Sequence, residues 1–568
     1  MNPERGGSPM TVELLLAHAV EVGAVPRRGL PLESFRSAPR PEPVEEPDAL
    51  WDATGDPNDL GRQRWGLVAP RGPRGDRLLA LVEPLRRWRQ EGQGGAPVIV
   101  HRVPSVMDGP YAMRWKKEVF RHEGTSEKDR PRYLLLLGDL HEVPLELQQS
   151  LSTDAFVGRL AFASDAGYEA YAEKVLRWER AAASQTRARM LFYTARDGSA
   201  ATELGHRALI TPSVTACRER QEEAGFPPAD ILELGASGAV PIEHLLDHAT
   251  RPGPGVLFTL SHGRGRPPGG WERPEARREH QGELKLPDGR FLPAAALASR
   301  PFLPGGIWFS FACFGAGTPA RSSYAHWLRK LPESDPNARR GLEAAPQAGE
   351  PPFIAALPQA ALANPEGPLA VMGHVDLAWS HSFSDRGRGT PSRFIELLKE
   401  LARGSRAGVA LHSLIQVLNE TSSELTSLYN QEELERAHGS PSSIDGVERA
   451  RLWMLRQDLA NYILLGDPAV RLPLASARES APATDGRVAM RALLGPRFGG
   501  APPCAPAPRA MAPEEGMEAA ILALLTGQRV PEDLAAEHGV ALDELRRWEE
   551  LYRAAGREAL ARYRSGHG

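Results

Sequence analysis

Cysteine is nearly absent from this chain: Cys217, Cys313 and Cys504 are the only three in 568 residues. Three thiols exclude a disulfide framework. They suit a reducing compartment and leave a thiol for use as a nucleophile. Lysine is scarce too, seven of the 68 cationic residues, the mark of an Arg-biased genome. Charge of one sign is also lacking: 68 Lys plus Arg face 72 Asp plus Glu, a net charge of −4. That balance excludes a globally basic nucleic-acid binder. No apolar run approaches ~18 uninterrupted residues, so no membrane-spanning helix is predicted. The opening MNPERGGSPMTVELLLAHAVEVGAV carries Glu and His in its apolar stretch and lacks a cationic n-region, so no secretory signal is predicted. These absences together predict a soluble, cytoplasmic protein with no membrane partner.

Several motifs are missing as well. No GK[ST] occurs, and GRGRPPGG has the wrong spacing for a phosphate-binding loop. LGASGA is not a G-x-S-x-G elbow. His141-Glu142 lacks the second His of a zincin helix, and the cysteines have no zinc spacing. His374 and Asp376 read better as pocket-wall or hydrogen-bonding groups than as metal ligands. Asp139 and Asp467, each after Gly at a strand end, read as turn formers. No metal site is predicted.

What is present is a chain with core-forming capacity, 41 % hydrophobic and 25 % charged, rich in Gly (55) and Pro (51). Residues 1–60 are Pro- and Glu-rich and read as a loosely ordered lead-in. From Arg62 short apolar strands alternate with amphipathic helices: RQRWGLVAP, the helix DRLLALVEPLRRWRQE, PVIVHRV, RYLLLLGD, the helix AGYEAYAEKVLRWERA, RMLFYTA, then GVLFTLSHG, GIWFSFACFG and PLAVMGHVD. Ser392 to Asn461 is mostly helical, and YILLGDPAVRLPL is the last strand-like run. Continuous apolar strands between helices predict an α/β fold, mostly parallel sheets flanked by helices, as two linked sheets or one large one. We divide it into an N-terminal α/β subdomain over 61–160 and a second over 161–474.

Residues 475–513 hold seven prolines among Ala and Gly and read as a flexible linker. Residues 514–568 read as a small all-α domain of three helices resembling transposase-type helix-turn-helix units. Seven arginines there face eleven carboxylates, so a protein-docking role for a regulatory partner is favoured over DNA binding.

Chemistry collects at two strand ends. Ser261-His262-Gly263 follows one apolar run, and Cys313 ends the next, followed by Gly315 and Gly317. In an open parallel sheet the carboxyl ends of strands form the functional crevice. The 51-residue interval matches a His that precedes a nucleophilic Cys by about 50. An imidazole beside a thiol takes its proton during attack, and small residues let a peptide backbone approach. Backbone N–H groups at Gly263 and Cys313 are candidates for holding an oxyanion. The bland alternative is a core thiol and a satisfied loop histidine.

These landmarks, in order, resemble the gingipain-type cysteine peptidases, relatives of caspases, separases and CHAT-domain proteases. The resemblance runs from Arg62 to Leu474. It includes Gly138-Asp139 and Pro144, Val157-Gly158-Arg159, the SHG and Phe-Ala-Cys strand ends, PLAVMGHVDLAW and the closing ILLGDPAVRL. It implies a caspase-like fold and a cysteine endopeptidase with His262 and Cys313 as its catalytic dyad. It also implies a protein substrate and no required cofactor, with structural calcium known among relatives. The loop carrying Trp379 then lines the pocket for the residue before the scissile bond. Asp376 beside it, with Asp197 and Glu203 as further acids, suggests cleavage after a basic residue. By analogy of architecture, the role is a bacterial defence or cell-death effector. The rival reading is a non-catalytic scaffold or a DNA-associated regulator acting through the C-terminal helices.

Overall fold

The computed structural model describes residues 55–475, apart from 123, 223–225, 228, 252, 254, 268, 330–341, 348 and 386–387. It also describes the short antiparallel pair Thr11–Val12 with Leu30–Pro31, and Arg547. Most of the lead-in over 1–60, the linker over 475–513 and the helix-turn-helix-like domain over 514–568 lie outside the described residues.

Ten strands form one sheet: β1 Trp65–Pro70, β2 Ile99–Val103, β3 Tyr133–Leu137, β4 Phe156–Leu160, β5 Ala188–Thr194, β6 Ala229–Leu234, β7 Gly255–Leu260, β8 Ile307–Phe311, β9 Ala370–His374 and β10 Tyr462–Gly466. Their order is β2-β1-β3-β4-β10-β9-β8-β7-β5-β6. Every pairing is parallel except β9 with β10. The protein is thus α/β, built on one large, mostly parallel sheet. Strands such as β3, β7, β8 and β9 are buried at every position. A strand buried on both faces must be covered on both, which is why these read as continuous apolar runs. The covering helices include α1 Asp165–Arg180, α2 Ala200–Gly205, α3 Ala356–Ala363, α4 Ser392–Arg403, α5 Ala407–Ala437 and α6 Gly446–Ala460.

Two local expectations are corrected. The helix predicted through DRLLALVEPLRRWRQE is two, Pro73–Leu81 and Glu83–Gly92. Pro84 cannot donate to the preceding turn, so the helix stops and restarts with the proline in its first turn. The edge strand β6, ADILEL, is absent from the sequence reading. Its burial alternates and Leu232 is exposed, so it lacks the unbroken apolar run that marks its neighbours.

The strand that closes the sheet comes last in the sequence. β10 enters between β4 and β9, and Asp467 just after it accepts hydrogen bonds from Trp65 Nε1 (2.9 Å) and Arg89 Nε (2.7 Å). Gly158 of β4 lies so near it that a side-chain methyl would come within 2.2 Å of the Gly466 carbonyl oxygen.

Behind the future site, Phe258 of β7 stacks on its register partner Phe309 of β8 at 4.8 Å. Phe394 of α4 meets both rings edge-on. This aromatic packing holds the two strands that carry His262 and Cys313 in fixed register.

Candidate active site

Strands β5, β7, β8 and β9 are parallel neighbours, so their carboxyl ends share one edge of the sheet. Asp197, His262, Cys313 and Asp376 leave that edge from β5, β7, β8 and β9 in turn.

The His262 segment is clamped by backbone on both sides. Ser261 N donates to Phe311 O (3.1 Å), Lys285 N to His262 O (2.8 Å) and Arg264 N to Glu283 O (2.8 Å). The last two bonds flank the Gly263–Leu284 bridge, making it a pair without mutual hydrogen bonds. In such a pair the N–H points away from the partner strand, so Gly263 N–H is directed off the ladder. On its other side, a methyl added to Gly263 would lie 1.7 Å from the Cys313 carbonyl oxygen. Only glycine lets the two strand exits meet so closely.

Cys313 sits on a tight return. Phe314 has a left-handed φ of 56°, a costly conformation for a non-glycine residue. It is held there because Phe314 N and Ala316 N donate to Asp376 O and His374 O, each at 2.9 Å. The sulfur accepts a hydrogen bond from Ala378 N at 3.2 Å. Cys313 is 0 % exposed and His262 1 %.

Behind the imidazole stand two groups from the β5 exit. Ser199 Oγ shares a 2.6 Å hydrogen bond with His262 Nε2, and Asp197 Oδ2 lies 3.6 Å from the same nitrogen. Asp197, its side chain 3 % exposed, also pairs with Lys285 Nζ at 2.9 Å and accepts from Ser199 N and Thr202 Oγ1. Burial works against its ionisation. The neighbouring His262, Lys285 and donated hydrogen bonds outweigh burial and hold the carboxyl down at about 2. The expectation that Asp197 faces a basic side chain of the substrate is not what the structure shows: its carboxylate is turned to His262 and Lys285.

Asp376 is likewise corrected. It is fully buried, and its oxygens accept from Leu377 N (2.8 Å) and Ser323 N (2.7 Å), so it caps a turn instead of facing a pocket. Burial pushes its carboxyl up to about 6 despite those donors and the nearby His374. Glu203, in α2, is engaged by Arg196 (Arg196 Nε to Oε1, 3.0 Å). Trp379 lies in the wall of a narrow apolar pocket. That pocket lies between α2 (Ala201, Gly205), the β7 exit (Leu260, Ser261) and the loop through Ala378 and Trp379.

The loop is fixed from α6. Asp458, fully buried, accepts from Trp379 N (3.0 Å) and Ser382 N (2.9 Å), with His374 Nε2 3.2 Å away. Burial disfavours the charged His374, but the Asp458 carboxylate outweighs it and raises the imidazole's pKa.

Ser199, Lys285, Ala378 and Asp458 were missed in the sequence. Ser199 carries one local signal: it is the N-cap of α2. The others reach the site only through long-range contacts. Among the described residues no group of three or more His, Cys, Asp or Glu could hold a metal ion, and no helix is long and apolar enough to cross a membrane.

No protein-family model and no curated protein matches the sequence. Among solved structures, the chain is similar to the Saccharomyces cerevisiae separase–securin complex at 11 % identity and TM-score 0.29, covering 62 % of this chain and 16 % of that one. It is similar to the complex of Porphyromonas gingivalis RgpB pro- and mature domains at 12 % identity and TM-score 0.40, covering 72 % and 79 %. It is also similar to the Arg-specific cysteine proteinase gingipain R (RGPB) at 13 % identity and TM-score 0.42, covering 76 % of this chain and 80 % of that one.

Proposed function

We propose that the chain is a cysteine endopeptidase acting on a protein substrate in the cytoplasm, with Cys313 as nucleophile and His262 as its acid–base partner. The observation that carries this reading is the contact of two adjacent strand exits at Gly263 and Cys313, backed by the buried Ser199 and Asp197 behind the imidazole. A structural thiol has no need of an oriented histidine or of a glycine that brings the two exits together.

In the proposed cycle Cys313 Sγ attacks the scissile carbonyl carbon while its proton passes to His262. The oxyanion that forms takes hydrogen bonds from Gly263 N–H and Cys313 N–H. His262 then gives the proton to the leaving amine, the C–N bond breaks, and a thioester remains. A water, deprotonated by His262, attacks the thioester and releases the acid and the thiol. Asp197 and Ser199 orient the ring and favour its charged form without taking its proton. This thiol–imidazole chemistry needs no metal or organic group. Regulation by a protein partner through residues 514–568 belongs to the same reading, as does an effector role in defence or cell death.

The basic-residue preference loses its support, because Asp376 and Asp197 are committed elsewhere. The rival, a non-catalytic scaffold, draws on one observation: both catalytic candidates are almost without solvent exposure. A thiol-directed, peptide-based probe separates the two. Labelling of the wild type but not of Cys313→Ala, with cleavage abolished to a similar extent in Cys313→Ala and His262→Ala, is the expected result. Cleavage that survives Cys313→Ala overturns the mechanism.

A further inference from the structure

We propose that the pocket beside Cys313 accepts a small, uncharged side chain, so that cleavage follows residues the size of alanine or serine. This rests on the peptidase reading above and names its substrate class.

Position comes first. The pocket is lined by Ser261, next to His262; by Phe311, two residues before Cys313; and by Ala378, whose N–H contacts the sulfur. A peptide whose carbonyl carbon is within reach of Cys313 Sγ therefore lowers the side chain of that same residue into this pocket.

Size comes second. Leu260, Trp379 and Phe383 close the pocket until it has room for about one water-sized group. The walls do not yield readily. Trp379 is held by Asp458 through its backbone and packs against Tyr324 at 5.1 Å. On the α2 side a methyl added at Gly205 would meet Leu260 Cδ1 at 2.5 Å. Helix and strand are already in contact there.

Charge comes third. None of the lining residues is charged. Of the charged groups near it in sequence, Asp376 is committed to Ser323 and Leu377, Asp197 to His262 and Lys285, Glu203 to Arg196, Arg264 to Glu283, Arg266 to Glu350 and Asp385 to Arg451, while Arg207 is exposed to solvent. A basic or acidic substrate side chain would enter an apolar slot with no counter-charge, which is strongly unfavourable.

The test is a fluorogenic peptide library varied at the residue before the scissile bond, read on the full chain together with probe labelling of Cys313. The expected result is kcat/KM for Ala or Ser exceeding that for Arg, Lys or Asp by on the order of 100-fold. Ser380→Asp, which adds a carboxylate to the half-buried rim of the pocket, is expected to raise Arg and Lys relative to Ala by about tenfold or more. A wild-type preference for Arg, Lys, Asp or a large aromatic residue overturns the inference and leaves the peptidase reading standing. Labelling of Cys313 with no library member cleaved also overturns it. If there is neither labelling nor cleavage, the peptidase reading falls and the inference falls with it.

Discussion

At the scale of single residues, the histidine's environment makes the sharpest predictions. Asp197→Asn removes the carboxylate shared by His262 and Lys285. Kcat should fall by about 10–100-fold with KM little changed, because the carboxylate touches the ring and not the substrate. Ser199→Ala should cost less, and steady-state kinetics across pH checks both variants. Asp376 supplies a stability test. A carboxyl whose folded value is raised to about 6 stabilises the fold below its unfolded value of ~3.9, and that contribution is lost as pH rises through about 6. Melting temperatures of wild type and Asp376→Asn should therefore diverge in slope between about pH 4 and 6, the wild type losing more as pH rises. Equal slopes would mean that the carboxyl titrates normally. His262 and Cys313 were legible in the sequence because each directly follows an apolar run and has glycine close by. Asp197 was singled out as an acid for the substrate, but its place beside His262 and Lys285 was not foreseen. Its partner His262, like the 79-residue link from Asp458 to Trp379, is a meeting made by the sheet, and no local pattern records it.

Among the elements, the exits of β7 and β8 act as one part. Gly263→Ala places a methyl where the Cys313 carbonyl oxygen already lies. The exits must then separate, with a stability loss of about 1–3 kcal/mol and nearly complete loss of cleavage. Calorimetry and peptide turnover on the same preparation check the pair of effects; a variant with normal turnover would show that the contact is dispensable. Strands buried on both faces were readable from unbroken apolar runs such as YLLLL and GVLFTL. β6 was not, because an edge strand is half-solvated and its pattern dissolves into the surrounding polar sequence. The break at Pro84 was overlooked because apolar spacing continues across it while the hydrogen bonding does not.

For the whole molecule, the placement of β10 governs cooperativity. The division at residue 160 separates two stretches of sequence, yet β4 reaches the second half of the sheet only through β10. Asp467 ties that strand to Trp65 and Arg89. Residues 61–160 should not unfold independently of residues 161–474: calorimetry should show one transition for the described fold. Gly158→Val, remote from Cys313 in the strand order, should lower that transition and reduce cleavage together. Two separable transitions would contradict this. Strand pairing order is not written in hydrophobic periodicity, so the last strand was recognisable while its place in the middle of the sheet was not.

The burial of Cys313 has a consequence measured in time. A thiol with no solvent exposure, its sulfur accepting the Ala378 N–H, meets neither peroxide nor small alkylating agents while it stays buried. The thiol is therefore spared slow chemical loss as the protein ages. Inactivation by reagents of very different intrinsic reactivity should converge on a common slow rate, that of the local opening which exposes the sulfur.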